Sequence, residues 1–201
     1  MPFQNRVDPF SRVHAVSMRG MFTGNRGILH DPTTRTLKSQ RWTTNGWVIC
    51  TLDWKGHQAP IMGTGHWTEL FFLDEAVALA AGHRPCHACR KDRAITFRDA
   101  AGYHRIGPMS DIISSEMKPF LRARRPEPRP SCRPRDLPDG AFLATGDGAF
   151  LKWCGAAYPF GWQAYGAPVA LPDHALRLTP TTTCKALAAG YRPTMHPSLG
   201  R

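Results

Sequence analysis

The sequence predicts an α+β protein: a small sheet that feeds a helix ending in a Cys-x-x-Cys knuckle, then a mainly antiparallel β lobe closed by a further helix. Three stretches carry that expectation. Residues 47–54, WVICTLDW, alternate as a strand does. Residues 74–82, DEAVALAAG, have a side chain able to cap a helix, a run of strong helix formers and a glycine suited to the left-handed turn after the last residue. Residues 141–153 hold two apolar runs around Gly146-Asp147-Gly148, a hairpin signal.

Taken in order, residues 1–45 are rich in arginine, glycine and threonine and show little periodicity, so a basic arm or irregular lobe is expected. Within it, the glycine-punctuated run from Gly20 to Gly27 lacks the Gly-Lys-Ser/Thr end of a P-loop and reads either as a series of turns or as a phosphate-binding turn. In the 47–54 strand, Val48, Cys50, Leu52 and Trp54 share one face, which gives Cys50 the surroundings of a core thiol. Residues 59–62 and 67–72 read as further strands leading into the helix capped by Asp74. Beyond the knuckle, residues 94–102 form a second helix, and a third runs over residues 110–117 with Ser110 as its cap and Pro119 limiting its reach.

The stretch 122–138 combines arginines with closely spaced prolines and is expected to be an extended linker. It divides the chain into residues 1–121, the linker 122–138, and a β-rich aromatic lobe 139–201. In that lobe, residues 160–165 and 168–171 read as short strands, and Trp153, Tyr158, Phe160, Trp162 and Tyr165 favour core packing over base stacking. The closing helix has Thr179 as cap, Pro180 at its first position and Gly190 as its stop. Residues 187–193, LAAGYRP, nearly repeat residues 79–85, LAAGHRP: either a degenerate duplication or one helix-ending solution used twice, with Arg84 and Arg192 as matched clamps or as ties to helix carbonyls.

Cys86 and Cys89 have the spacing that brings two thiolates to one tetrahedral zinc, because the turn between them sets both sulfurs about 2.3 Å from the metal. Further ligands must come from elsewhere; His57 ranks first, Cys50 next and His66 third. Leu79, Ala80, Ala81, Gly82, Arg84, Pro85, Cys86 and Cys89 together resemble the end of the helix and the Cys-x-x-Cys run of the Ada-type N-terminal metal-binding domain of adaptive-response DNA repair proteins, over about residues 70–92. His83 stands where that family usually has an aromatic residue. The resemblance implies a small zinc-type α+β module with a history of DNA contact. The family's upstream Cys-x-x-x-Cys pair, which completes the zinc site and supplies the alkyl acceptor, is absent, so alkyl transfer is not expected.

A net charge of +11 attracts polyanions, since each lysine or arginine laid on a phosphate releases a counterion. Nucleic acid, DNA above all, is the expected partner, with Arg84, Arg90, Lys91, Arg93, Arg98, Arg122, Arg124 and Arg125 as the contacting residues. An alternative is a small nucleic-acid-processing enzyme, a nuclease or base-processing protein, using His30 and Asp31 with Glu69 or Asp74 as a carboxylate partner. A third is a structural or regulatory protein in which the cysteines only end a helix. With no apolar run near the roughly 20 residues of a membrane span and no signal-peptide core, a soluble cytoplasmic protein is expected.

Overall fold

The structure, a computed structural model, describes residues 1–53, 55–56, 60–122, 124–146 and 148–199, and its architecture is α+β with two six-stranded sheets. The first half holds β1 (Arg6–Val7), β2 (Val13–His14), β3 (Phe22–Asn25), β4 (Val48–Cys50), β5 (Leu70–Phe72), α1 (Glu75–Ala80), β6 (Arg84–Pro85), α2 (Lys91–Ala100) and α3 (Ile106–Met117). The second holds β7 (Ser131–Cys132), β8 (Phe142–Thr145), β9 (Gly148–Trp153), β10 (Ala156–Pro159), β11 (Val169–Ala170), β12 (Ala175–Arg177) and α4 (Thr181–Ala188). No helix among the described residues is long and apolar enough to cross a membrane.

The sheets are built on one plan. Their strand orders are β2-β1-β5-β3-β4-β6 and β11-β10-β9-β8-β12-β7. In each, an antiparallel pair (β3 with β4, β8 with β9) is flanked by a strand antiparallel to its first member (β5, β12), and that strand leads into a helix (α1, α4). The plans part at both flanks: β4 takes β6 in parallel where β9 takes β10 antiparallel, and β5 takes β1 in parallel where β12 takes β7 antiparallel.

Both helices end in the same hydrogen-bond pattern. Gly82 N–H donates to Leu79 O and His83 N–H to Ala78 O; Gly190 N–H donates to Leu187 O and Tyr191 N–H to Ala186 O. This is the Schellman arrangement, which satisfies carbonyls that the last helical turn leaves open and needs a left-handed residue, met by Gly82 at φ +86° and Gly190 at φ +100°.

One hydrophobic core joins the halves: Val7, Phe22, Ile49, Phe72 and Leu79 lie in the same cluster as Phe142, Leu151, Tyr165, Leu187 and Tyr191. The stretch 122–138, expected as an extended linker, contributes β7 to the edge of the second sheet beside β12, where closely spaced prolines are compatible with a strand bonded on one side. Its Arg129 turns inward, donating to Leu178 O and Phe10 O. The aromatic residues of the second half pack on the core, with Tyr165 buried and Trp153, Tyr158, Phe160 and Trp162 against it.

Several elements differ from the sequence expectation. Residues 1–45 are not an irregular arm, for they supply three strands and the core side chains Val7 and Phe22. The glycines of the 20–27 run serve close packing within the sheet: a Cβ on Gly20 would lie 2.1 Å from Phe72 O, and one on Gly24 2.0 Å from Val48 O. Residues 60–62 form a turn, not a strand, and Ala59 lies outside the described residues. Helix α3 begins at Ile106, so Ser110 is inside it, bonding back to Ile106 O; Pro108 is tolerated because the first turn has no intrahelical N–H bonds to lose. Residues 160–165 are irregular and the strand sits earlier, at β10. Pro180 occupies the cap position of α4, while Thr179 Oγ1 accepts from Phe142 N–H.

Candidate metal centre

Strands β4 and β6 run parallel, with Val48 opposite Arg84 and Ile49 opposite Pro85. Each chain therefore leaves its strand at a cysteine, Cys50 and Cys86, and Cys86 N–H donates to Ile49 O at 2.9 Å, fixing the two ends side by side. The Cys86–Cys89 turn then closes into α2, with Arg90 N–H donating to Cys86 O at 2.9 Å. The Sγ atoms of Cys50, Cys86 and Cys89 all lie within 4.8 Å of one another, a group that can hold a metal ion. Sulfurs about 2.3 Å from a common tetrahedral metal are about 3.8 Å apart, so little movement separates this cluster from a ligand set.

Its electrostatics suit a cation. The Cys86 thiol is held down to about 5, chiefly by the Cys50 thiol that donates to it, with the backbone N–H groups of Cys89 and Ala88 adding to the effect against burial. Cys50 is pushed upward as that donor and by its burial. Cysteine binds a metal as the thiolate, so the ion would replace the proton that Cys50 donates to Cys86. Beside it, Arg84 is buried, donates from Nε to Ser110 Oγ at 2.6 Å and from Nη1 to Pro85 O at 2.9 Å, and feels the charge of Cys86 and Cys50.

Cys50 thus joins the pair, although strand alternation suggested a core thiol. The buried face of β4 is the other one: Ile49 and the preceding Trp47 are 0% and 1% exposed, while Val48 and Cys50 are half-buried and Leu52 lies open. The buried surroundings expected for Cys50 are therefore not found at Val48 or Leu52; Trp54 lies outside the described residues, as does His57. His66 is half-buried and has interactions of its own. His83, in the place of the family's aromatic residue, behaves as one: fully buried, it meets Phe72 edge-on at 4.7 Å and Trp47 at 5.8 Å, and burial followed by the charge of Arg26 keeps it neutral.

The expected nucleic-acid residues divide. Arg84, Arg90 and Arg93 face inward: Arg90 pairs with Glu75 at 2.9 Å over the Phe22 ring, and Arg93 pairs with Glu75 at 3.1 Å over the Tyr191 ring. A buried carboxylate and nearby aromatic faces take these guanidiniums, which composition could not foretell. Arg98 faces Asp99, Arg122 reaches Glu127 at 3.4 Å, and Lys91, Arg124 and Arg125 are exposed. Arg192 donates to Leu187 O, so the two Arg-Pro turns do not present matched clamps.

The side chains named for an enzyme are occupied. His30 is fully buried, with Thr68 Oγ1 at 2.7 Å from Nδ1 and Gly63 O at 3.2 Å from Nε2. The Gly63 carbonyl can only accept, so His30 Nε2 donates to it, while Thr68 Oγ1 also accepts from Leu29 N–H. Asp31 accepts from the N–H groups of Thr33 and Thr34, which holds its carboxyl low. Glu69 accepts from Met62 N–H, and Asp74 caps α1. No family model, curated protein or solved structure matches the chain.

Proposed function

We propose that the chain is a nucleic-acid-binding, DNA-associated protein whose first half is stabilised by a structural zinc ion on Cys50, Cys86 and Cys89. The observation that carries the metal is the convergence of Cys50, which is 36 positions upstream of Cys86, on a knuckle whose own amides already point at the Cys86 sulfur. Thiolate donors favour zinc among abundant divalent ions, and Cys50 with the knuckle supplies three of the four ligands that a tetrahedral site takes. The +11 charge supports a polyanionic partner, with Lys91, Arg98, Arg122, Arg124 and Arg125 on the surface. We read the centre as holding the fold and not accepting alkyl groups, because the upstream Cys-x-x-x-Cys pair that supplies the acceptor in the resembled family is absent and Cys50 is the one cysteine before the knuckle.

Purified protein is expected to carry one zinc per chain by elemental analysis and to bind labelled DNA with an affinity that falls steeply with salt. It is expected to gain no methyl group in intact mass after incubation with methylated DNA. Absence of stoichiometric metal ends the zinc reading; absence of binding at low salt ends the nucleic-acid reading.

A further inference from the structure

We infer that a single-stranded nucleic acid crosses the surface shared by residues 41–45 and the end of α3, its phosphates on Arg41, Lys118, Arg122, Arg124 and Arg125 and one base on the Trp42 indole. The inference rests on the nucleic-acid reading above and names where, and in what form, the partner is held. Two segments distant in sequence are fastened here: Lys118 Nζ donates to Asn45 Oδ1 at 2.6 Å, and Asn45 Nδ2 donates to Asp111 Oδ1 at 2.9 Å. The Lys118 ammonium thereby sits 5.8 Å from the centre of the Trp42 ring, which leans on Trp47 at 6.2 Å. The result is a half-buried indole beside the Lys118 ammonium, which stands in the chain just before Arg122, Arg124 and Arg125.

Those cations are in surplus. Arg98, Arg133, Arg135 and Lys152 each face a carboxylate. Arg41, Arg124 and Arg125 are exposed and have no carboxylate partner among the described residues, and Arg122 has only Glu127 at 3.4 Å, both side chains more than half exposed. An exposed ion pair of that length is weak, so a phosphate can take its place. The aromatic ring selects the form of the partner. In a duplex the bases are stacked on each other, whereas a single strand has free faces, and a base binds an indole more firmly than an exposed ammonium does. Arrival of a base frees Lys118 for the adjoining phosphate.

The test is fluorescence anisotropy of the full chain with a labelled 20-nucleotide strand and the matching duplex over a salt series. Wild type is expected to prefer the strand. The triple variant Arg122→Gln, Arg124→Gln, Arg125→Gln is expected to flatten the plot of log affinity against log salt by about 2 units, at about 0.7 per lost contact. Trp42→Leu is expected to lose about tenfold in affinity with the slope unchanged, and Lys185→Gln, on the exposed side of α4, to change neither. Circular dichroism melts of the variants matching wild type exclude misfolding as the cause. Strand binding that persists with an unaltered slope in the triple variant overturns this surface and leaves the nucleic-acid reading standing. Equal affinity for strand and duplex, insensitive to Trp42→Leu, overturns the single-stranded form. Wild type that binds neither removes the nucleic-acid reading itself.

Discussion

Asp74 and Glu75 are adjacent, fully buried carboxylates with opposite acid-base behaviour, and their partners explain the difference. Burial, with the neighbouring Glu75 charge, pushes Asp74 up to about 6 although Val77 N–H, Tyr165 Oη–H and His196 N–H all donate to it. Burial acts on Glu75 in the same direction, but the charge and hydrogen bond of Arg90, with Tyr191 Oη–H and Thr194 N–H, outweigh it and hold Glu75 below its ordinary value. Between about pH 4 and pH 6 the folded chain keeps a proton on Asp74 that the unfolded chain has lost, so this residue makes stability fall as pH rises, by about 1.4 kcal/mol per unit. Thermal melts are therefore expected to show the gap between wild type and Asp74→Asn shrinking from pH 4.5 to pH 6.5; a constant gap shows that Asp74 does not titrate in that window. Glu75→Gln leaves Arg90 buried without its counter-ion and is expected to cost about 3–5 kcal/mol at pH 7. That loss should narrow as pH falls below 4.5, where the unfolded chain's glutamate takes up a proton before the folded chain's does, which urea titrations at about pH 7 and about pH 3 measure.

At the scale of elements, the two Schellman turns form a natural matched pair. A Cβ on Gly190 would meet nothing within 4 Å, so Gly190→Ala bears only the left-handed backbone cost of about 1–2 kcal/mol. A Cβ on Gly82 would lie 2.5 Å from Met117 Cγ and 3.2 Å from the Trp47 ring, so Gly82→Ala adds about 1–3 kcal/mol of overpacking. Urea midpoints with unchanged slopes are expected to rank wild type above Gly190→Ala and that above Gly82→Ala; equal losses deny the role given to Met117 and Trp47. These turns and the Asp74 cap were legible in the sequence because a cap and a glycine stop act within one turn of chain. The 141–153 hairpin was legible for the same reason. What was not legible depended on the neighbour across the sheet: that β4 buries Trp47 and Ile49 instead of Cys50's face, that Cys50 meets Cys86 through the β4 and β6 pairing, and that Arg84 and Arg90 turn inward to Ser110 and Glu75. Charge counting located cations in the chain and said nothing of the carboxylates waiting for them.

Across the whole molecule, the LAAG-x-RP repeat places Thr194 where the first half has Cys86, and β10, with β11 outside it, stands beside β9 where the edge strand β6 stands beside β4. The halves are nevertheless tied to the cysteine cluster by a short path. Arg90, next to Cys89, pairs with Glu75; Glu75 accepts from Tyr191 Oη–H and from Thr194 N–H, and its own N–H donates to Thr194 O. A structural zinc site in small peptides is worth about 10–16 kcal/mol of apparent binding, as large as the whole stability of an ordinary domain, so with zinc on the cysteines as proposed, emptying the site should unfold or loosen more than the knuckle. Because one core spans both halves, chelation is expected to lower a single melting transition and not to split it in two. Cys86→Ser should do the same without chelator. Hydrogen exchange should then quicken at the Thr194 and His196 amides as well as at those of Cys86 and Arg90, since loss of the knuckle frees the guanidinium that holds Glu75 in place. Exchange that quickens only around residues 86–90, with the tail amides as protected as before, would show that the Arg90, Glu75 and Tyr191 path does not couple the metal to the second half.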